Sequence, residues 1–138
     1  MTPRTIVQRF VLLLALVTLT AAPAMARNDP AENAVAAAFK AALKNDFQAY
    51  LAVVHPNEKA KPEQTTQLEK YTFGRFVRQA AWYLSGSDPE SFQVDRREEL
   101  GGNKVKLFIK DVAHPSRASV PVTLEKSGDA WLLISNSL

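Results

Sequence analysis

The sequence predicts an α+β domain in which three amino-terminal helices precede a four-stranded antiparallel sheet. Up to Leu84, apolar residues recur at the spacing of three and four positions that one face of a helix requires. From Phe92 onward they alternate with polar residues, which is the two-residue period of a half-buried strand. The turn-forming pairs Ser85-Gly86 and Asp88-Pro89 lie between the two patterns. The change of period therefore divides the domain into a helical part and a sheet.

The first 26 residues have the three regions of an export signal. A basic start is followed by the apolar run Phe10–Leu19 and then by an A-x-A motif that ends at Ala26. The apolar run is too short to cross a membrane, because a spanning helix needs about 20 apolar residues. We therefore expect cleavage after Ala26. The remaining residues, 27–138, form one domain in the periplasm or outside the cell, with no membrane span after cleavage.

The composition excludes several classes of function. The chain has no cysteine, which excludes a disulfide framework and a lipid-attached cysteine. Two of its 17 basic residues, Arg4 and Arg9, belong to the signal, so the domain has 15 basic and 14 acidic residues and a net charge of +1. Nucleic-acid binding draws on clustered cations, so we expect no nucleic-acid partner. The sequence has no metal-ligand motif, and we expect neither a metal nor another cofactor.

The first helix is predicted from Pro30 to about Lys44. Asp29 can cap it, Pro30 fits the first helical position because its missing N–H is no loss there, and Glu32 occupies the reciprocal capping position. One apolar stripe follows, formed by Val35, Phe39, Ala42 and Leu43.

Two more helices are predicted before the sheet. The second begins after Asp46 and ends at His55, because a residue before proline avoids the helical region. The polar stretch Asn57–Gln64 is expected to be a surface connection. The third helix begins at Thr65 or Thr66 and continues for about 19 residues. Its apolar positions are Leu68, Phe73, Phe76, Val77, Ala80 and Leu84.

Four strands are predicted after the helices. They cover Phe92–Leu100, Lys104–Lys110, Ser119–Glu125 and Ala130–Leu138, with glycine-containing breaks after the first and third. The last strand is apolar at four successive positions, Trp131–Ile134, so we expect it to be covered on both faces and Trp131 to lie in the core.

This order of elements resembles the nuclear-transport-factor-two-like superfamily. Two segments carry the resemblance, the first helices in "DPAENAVAAAFKAALKNDFQAYL" and the last hairpin in "VTLEKSGDAWLLIS". The layout is similar to that of small exported bacterial domains of unknown function. The resemblance implies that the helices pack on a curved four-stranded antiparallel sheet in a cone-like fold. The open end of such a cone often holds a small apolar or amphipathic ligand, and the superfamily includes both enzymes and binding proteins.

Two histidines, His55 and His114, are candidate ligand-binding residues because each precedes a proline beside the end of a predicted element. His114 with Asp111 or Asp95 could form a dyad that abstracts a proton. The alternative is that both histidines are solvated loop residues.

Arg96 and Glu98 are the other candidate ligand-binding residues. The alternation that places Phe92 and Val94 on the core face of the first strand also places these two charges there. Buried charges are costly unless they are paired or wetted, so the pair could line the mouth of a pocket. The alternative is a bulge between Val94 and Leu100 that rotates both side chains outward.

A basic stripe is predicted on the exposed face of the second strand, formed by Lys104, Lys106 and Lys110 with Phe108. These lysines could contact an anionic polymer or a membrane surface, or they could be ordinary solubilising residues of a strand.

Three functions follow from these observations. The first is an exported, non-enzymatic module that binds a small amphipathic ligand or an envelope protein. The second is an enzyme of the isomerase or dehydratase kind that uses a histidine–aspartate pair. The third is a homodimeric interaction domain that associates through the sheet, for which Phe108 and the apolar last strand are the support.

Overall fold

The computed structural model describes Arg27, residues 29–136 and Leu138. Within them the fold is α+β, with helices first and then a four-stranded antiparallel sheet, as the sequence predicts. The predicted signal, residues 1–26, lies outside the described residues. None of the helices in the described part of the chain is long and apolar enough to cross a membrane.

The first two helices begin where the sequence predicts. Helix α1 spans Pro30–Leu43, and the Asp29 carboxylate accepts a hydrogen bond of 2.9 Å from the backbone N–H of Ala31. Helix α2 spans Phe47–Ala52 and is capped by Asp46. Asn45 between them has a φ of 50°, a left-handed conformation that ends α1 and turns the chain.

The third predicted helix is a helical segment, residues 62–82, whose geometry changes along its length. It consists of α3 (Pro62–Gln67), a π-helical turn (Leu68–Phe73), α4 (Gly74–Gln79) and a 3-10 turn (Ala80–Trp82). The prediction of a loop up to Gln64 is wrong, because Pro62 serves as the first helical residue, where its missing N–H costs no hydrogen bond. Another 3-10 turn, Pro56–Glu58, precedes it.

The sheet has the strand order β1-β2-β3-β4, so each strand pairs with its neighbour in the chain. The strands are β1 (Val94–Glu99), β2 (Lys104–Ile109), β3 (Val120–Ser127) and β4 (Ala130–Asn136). The β1–β2 and β3–β4 connections contain glycines with positive φ, which their tight turns require: Gly101 and Gly102 in the first and Gly128 in the second.

Helices and strands contribute to one hydrophobic cluster. Phe39 of α1 is fully buried, and its ring centroid lies 5.3 Å from those of both Phe76 and Phe92. Trp131, expected in the core, is only half-buried against the cluster, whereas Leu133 is 3% exposed. Of the four successive apolar residues of β4, Leu133 is buried and the other three are half-buried, so both faces of this part of the strand are at least partly covered.

Candidate functional site

A groove lies where the end of α2, the π-helical turn and β4 meet. Its inner part is a cavity of about 210 Å³ lined by Tyr50, Val54, Glu58, Leu68, Thr72, Leu133 and Ile134. An adjoining cavity of about 280 Å³ shares Glu58, Leu68 and Thr72. Its other lining residues are Glu63, Gln64 and Gln67. Together we call these cavities the amphipathic groove. Sites for small ligands are typically concave and combine apolar side chains with a few polar groups, and both kinds of side chain line this groove.

One wall of the groove depends on a parallel bridge between Val54 and Leu133. The backbone N–H of His55 donates to the Leu133 carbonyl at 2.7 Å, and the Leu133 N–H donates to the Val53 carbonyl at 2.8 Å. This bridge covers part of the outer edge of β4 and holds the end of α2 beside the strand.

A bulge in β4 adds a second apolar side chain to this wall. Leu124 of β3 pairs with Leu133, but the neighbouring Thr123 pairs with Ser135, which leaves Ile134 as the extra residue. Successive residues of a regular strand point to opposite faces. The bulge breaks this alternation, and Leu133 and Ile134 both line the inner cavity.

The opposite wall is the π-helical turn. Leu68 and Phe73, the apolar residues at its two ends, are five positions apart. This spacing matches the i to i+5 hydrogen bonding of a π-helix, whereas an α-helix has i to i+4 bonds. Phe73 is buried in the hydrophobic cluster, whereas Leu68 and Thr72 line the groove. Such turns occur frequently at functional sites.

The groove is acidic. Among the described residues that line it, Glu58 and Glu63 are the only ones with a formal charge at neutral pH, and none is Lys, Arg or His. Within the described ranges, neither carboxylate has an ion-pair or hydrogen-bond partner for its side chain. Lys59, the neighbour of Glu58 in sequence, donates from Nζ to the Leu51 carbonyl at 2.6 Å instead.

His55 supports the groove without lining it. The residue is 8% exposed, and its Nδ1 accepts a hydrogen bond of 3.1 Å from the backbone N–H of Asn57. An acceptor at Nδ1 means that the neutral ring has its proton on Nε2. His55 therefore fixes the turn that follows the Val54–Leu133 bridge, and its predicted contact with a ligand stays a prediction.

His114 pairs with Asp111, one of the two partners that the sequence offers. Its Nδ1 lies 3.0 Å from Oδ2 of Asp111, and its backbone N–H donates to Oδ1 at 2.8 Å. Asp111 is 2% exposed, while the His114 side chain is 35% exposed. The other candidate partner, Asp95, accepts a hydrogen bond from Ser119. A buried carboxylate that accepts from Nδ1–H leaves Nε2 as the basic atom of His114.

Three further side chains surround this pair. The Trp82 ring meets the His114 ring edge-on with centroids 4.8 Å apart, and Nη1 of Arg117 lies 3.8 Å from Oδ2 of Asp111. Burial raises the pKa of the Tyr83 phenol, and the negative charge of Asp111 raises it further. His114 lines neither cavity of the amphipathic groove.

Arg96 and Glu98 lie on the surface, and the register that placed them on the core face is wrong. The β1–β2 pairing shifts between Val94 and Arg96, as in the bulge alternative. After the shift Arg96 faces Phe108, and its guanidinium lies 3.9 Å from that ring. The Arg96 and Glu98 side chains are 61% and 43% exposed and form an ion pair of 3.3 Å. Their contact with a ligand stays a prediction.

The predicted basic stripe lies in a surface of mixed charge. Lys106 is opposite Glu98 on β1, and Lys104 is opposite Glu125 on β3. Phe108, expected to be exposed, is half-buried beneath Arg96. Opposite charges at opposed positions of neighbouring strands favour the pairing of those strands, and two of the three lysines occupy such positions.

Comparisons of the chain with protein families, with curated proteins and with solved structures find no match. In the part of the chain that the structure describes, no group of three or more His, Asp or Glu side chains could hold a metal ion. Sequence reasoning missed the groove residues Glu58, Leu68, Thr72 and Ile134. The sequence has one signal for this region, the step of five positions between the apolar residues Leu68 and Phe73, which an ordinary α-helical stripe does not contain. That step marks the π-helical turn and not Glu58 or Ile134.

Proposed function

We propose that this protein is an exported, non-enzymatic module that binds a small amphipathic ligand in the amphipathic groove. One observation carries the proposal. The inner cavity brings the apolar side chains of Val54, Leu68, Leu133 and Ile134 together with the polar side chains of Glu58 and Thr72. Apolar side chains combined with a few polar groups are the usual lining of a small-molecule site. The tail of an amphipathic ligand would remove apolar side-chain surface from water, which favours binding by about 25 cal/mol for each Å² buried.

We also propose that the chain is a divergent nuclear-transport-factor-two-like domain in which the sheet curves around the helices as a cone. The support is the element order, three helices followed by four consecutive antiparallel strands, and the single cluster that both parts share.

A groove-filling variant tests the ligand-binding proposal. The neutral fluorescent probe N-phenyl-1-naphthylamine should bind residues 27–138, and Thr72→Phe should weaken this binding about ten-fold or more because the new ring fills the groove. Thr66→Phe is the matched control, since Thr66 is exposed on the same helical segment and does not line the groove. Equal binding by Thr72→Phe and the unmodified protein, or no binding by either, would contradict the proposal.

Export has its own test. Amino-terminal sequencing of the protein recovered from the periplasm or the medium should begin at Arg27. Membrane-bound material that keeps Met1 would show that the signal is not cleaved.

A second candidate function is favoured by the Asp111–His114 pair. A carboxylate bonded to Nδ1 orients the ring and stabilises its protonated form, so Nε2 could remove a proton from carbon next to a carbonyl group. This is the first step of an isomerase or dehydratase reaction. It would act apart from the groove, because His114 lines neither of its cavities.

Proton exchange tests the enzymatic candidate. Small cyclic ketones incubated with the protein in deuterated water should incorporate deuterium next to the carbonyl faster than in buffer. Both Asp111→Asn and His114→Gln should abolish the increase, while Thr72→Phe should leave it unchanged. Exchange at the buffer rate would remove the enzymatic candidate.

A further inference from the structure

We infer that the amphipathic groove selects ligands with a positively charged head group, with Glu58 as the counter-ion. This inference rests on the ligand-binding function proposed above and adds the chemical class of the ligand.

Glu58 stands at the junction of the groove. It lines both the inner cavity and the adjoining one, and it is half-buried. Its carboxylate has no hydrogen-bond or ion-pair partner among the described residues. A carboxylate without a protein partner is stabilised when it gains a charged donor, and hydrogen bonds to charged groups are stronger than neutral ones. A protonated amine placed at the junction would supply that donor.

The remaining charges of the groove have the same sign. Glu63 lines the adjoining cavity, and none of the lining residues that the structure describes in either cavity is basic. Lys59 could have neutralised Glu58, but its Nζ is hydrogen-bonded to the Leu51 carbonyl. An anionic ligand would therefore meet uncompensated like charge, whereas a cationic one would meet complementary charge.

The distribution of residues along the groove sets the direction of the ligand. The residues found only in the inner cavity are Tyr50, Val54, Leu133 and Ile134, and those found only in the adjoining cavity are Glu63, Gln64 and Gln67. We expect the alkyl chain to contact the apolar residues of the inner cavity, with its amine at the junction beside Glu58. Substituents on the amine would extend toward the amides of Gln64 and Gln67.

The same molecule contains a contrasting surface. A cavity of about 340 Å³ at the end of α1 is lined by Lys40, Leu43, Lys44, Ser87 and Pro89. It combines apolar side chains with lysines, and none of its described lining residues has a carboxylate. If charge selects the head group, an anionic amphiphile should prefer this second surface to the groove. The second surface is therefore an internal control for the charge preference of the groove.

Three probes with the same alkyl chain test the inference: octylammonium, 1-octanol and octanoate, each below its aggregation concentration. Amide chemical shifts of residues 27–138 locate each probe. Octylammonium should perturb the groove and bind there about ten-fold more tightly than 1-octanol, a difference of about 1.4 kcal/mol. Octanoate should bind the groove more weakly than 1-octanol. In the groove, added salt should weaken octylammonium binding and leave 1-octanol binding unchanged.

A charge-removing variant and its control complete the experiment. Glu58→Gln should reduce octylammonium affinity to that of 1-octanol and leave 1-octanol binding unchanged. Glu69→Gln removes an exposed carboxylate of the π-helical turn that does not line the groove, and it should change neither affinity. If the groove binds 1-octanol or octanoate as tightly as octylammonium, the charge inference is wrong while the ligand-binding proposal stands. If no probe perturbs the groove, both are wrong.

Discussion

The guanidinium carbon of Arg27 lies 3.7 Å from the centroid of the Phe92 ring. Phe92 is 1% exposed and belongs to the hydrophobic cluster. The same guanidinium donates to the Glu32 carboxylate at 3.0 Å and to the Glu90 carbonyl at 2.7 Å. The residue proposed as the first of the exported domain is therefore bound both to α1 and to the segment that leads into β1.

Arg27→Ala should lower the free energy of unfolding of residues 27–138 by about 1–2 kcal/mol. It removes a cation–π contact and charge-assisted hydrogen bonds, whose effect is reduced because the arginine is partly exposed. Urea denaturation measures the change. Arg78→Ala, which removes an exposed arginine of α4, is the control and should stay within about 0.5 kcal/mol. Equal stability of the two variants would show that Arg27 does not anchor the amino terminus.

Two aromatic truncations should have unequal effects. Phe39→Ala should destabilise the domain by about 3–5 kcal/mol, because it empties a fully buried site in contact with two other aromatic rings. Trp131→Ala should cost only about 1–2 kcal/mol, because the indole is half-buried and less apolar surface is lost. Thermal or urea unfolding of both variants checks the order. A larger loss for Trp131→Ala would contradict the described position of this side chain.

The surface pair Arg96 and Glu98 should contribute little to stability. Exposed ion pairs typically contribute less than about 1 kcal/mol, because water screens the charges and the side chains lose freedom when they pair. Each single alanine variant should remain within about 0.5 kcal/mol of the unmodified protein, apart from the lost packing of Arg96 on Phe108. A double-mutant cycle by urea denaturation measures the coupling. A value of 3 kcal/mol or more, the order expected for a buried pair, would place these residues in a desolvated pocket instead.

Tyr83 should make the domain less stable at alkaline pH. Its pKa is raised in the folded protein, first by burial and then by Asp111, above the usual value of 10.0. Below pH 10 the phenol is protonated in both states and the contribution to stability is fully present. As the pH rises further, the unfolded chain releases this proton first, and the free energy of unfolding falls.

Absorbance of the tyrosinate ion follows this titration directly. The chain has three tyrosines. Because the pKa of Tyr83 is raised, its ionisation should occur at a higher pH than that of an ordinary tyrosine, and Tyr83→Phe should remove this part of the titration. The same variant should remove this part of the alkaline loss of stability. If the signal lost in Tyr83→Phe titrates at the ordinary midpoint of tyrosine, the expected shift is absent.

The features that the sequence alone determined depend on interactions between residues only a few positions apart in the chain. The start of α1 at Asp29-Pro30 depends on a cap that bonds two residues ahead, and the glycine turns depend on local backbone conformation. The Asp111–His114 pair was foreseeable for the same reason, because its members are three positions apart. The change of period after Asp88-Pro89 placed all four strands, although it could not place their bulges.

The tertiary structure alone decided the groove. Its two walls come from the Val54–Leu133 bridge and the π-helical turn, and the first joins segments far apart in the chain. Bulges at Asp95 and Ile134 rotate the side chains that follow them, and nothing local marks either position. The position of a bulge depends on how the two whole strands pair and on which of their side chains pack into the core. For that reason Arg96 lies on the surface and Ile134 lines a cavity, positions that the two-residue period of the sequence could not specify.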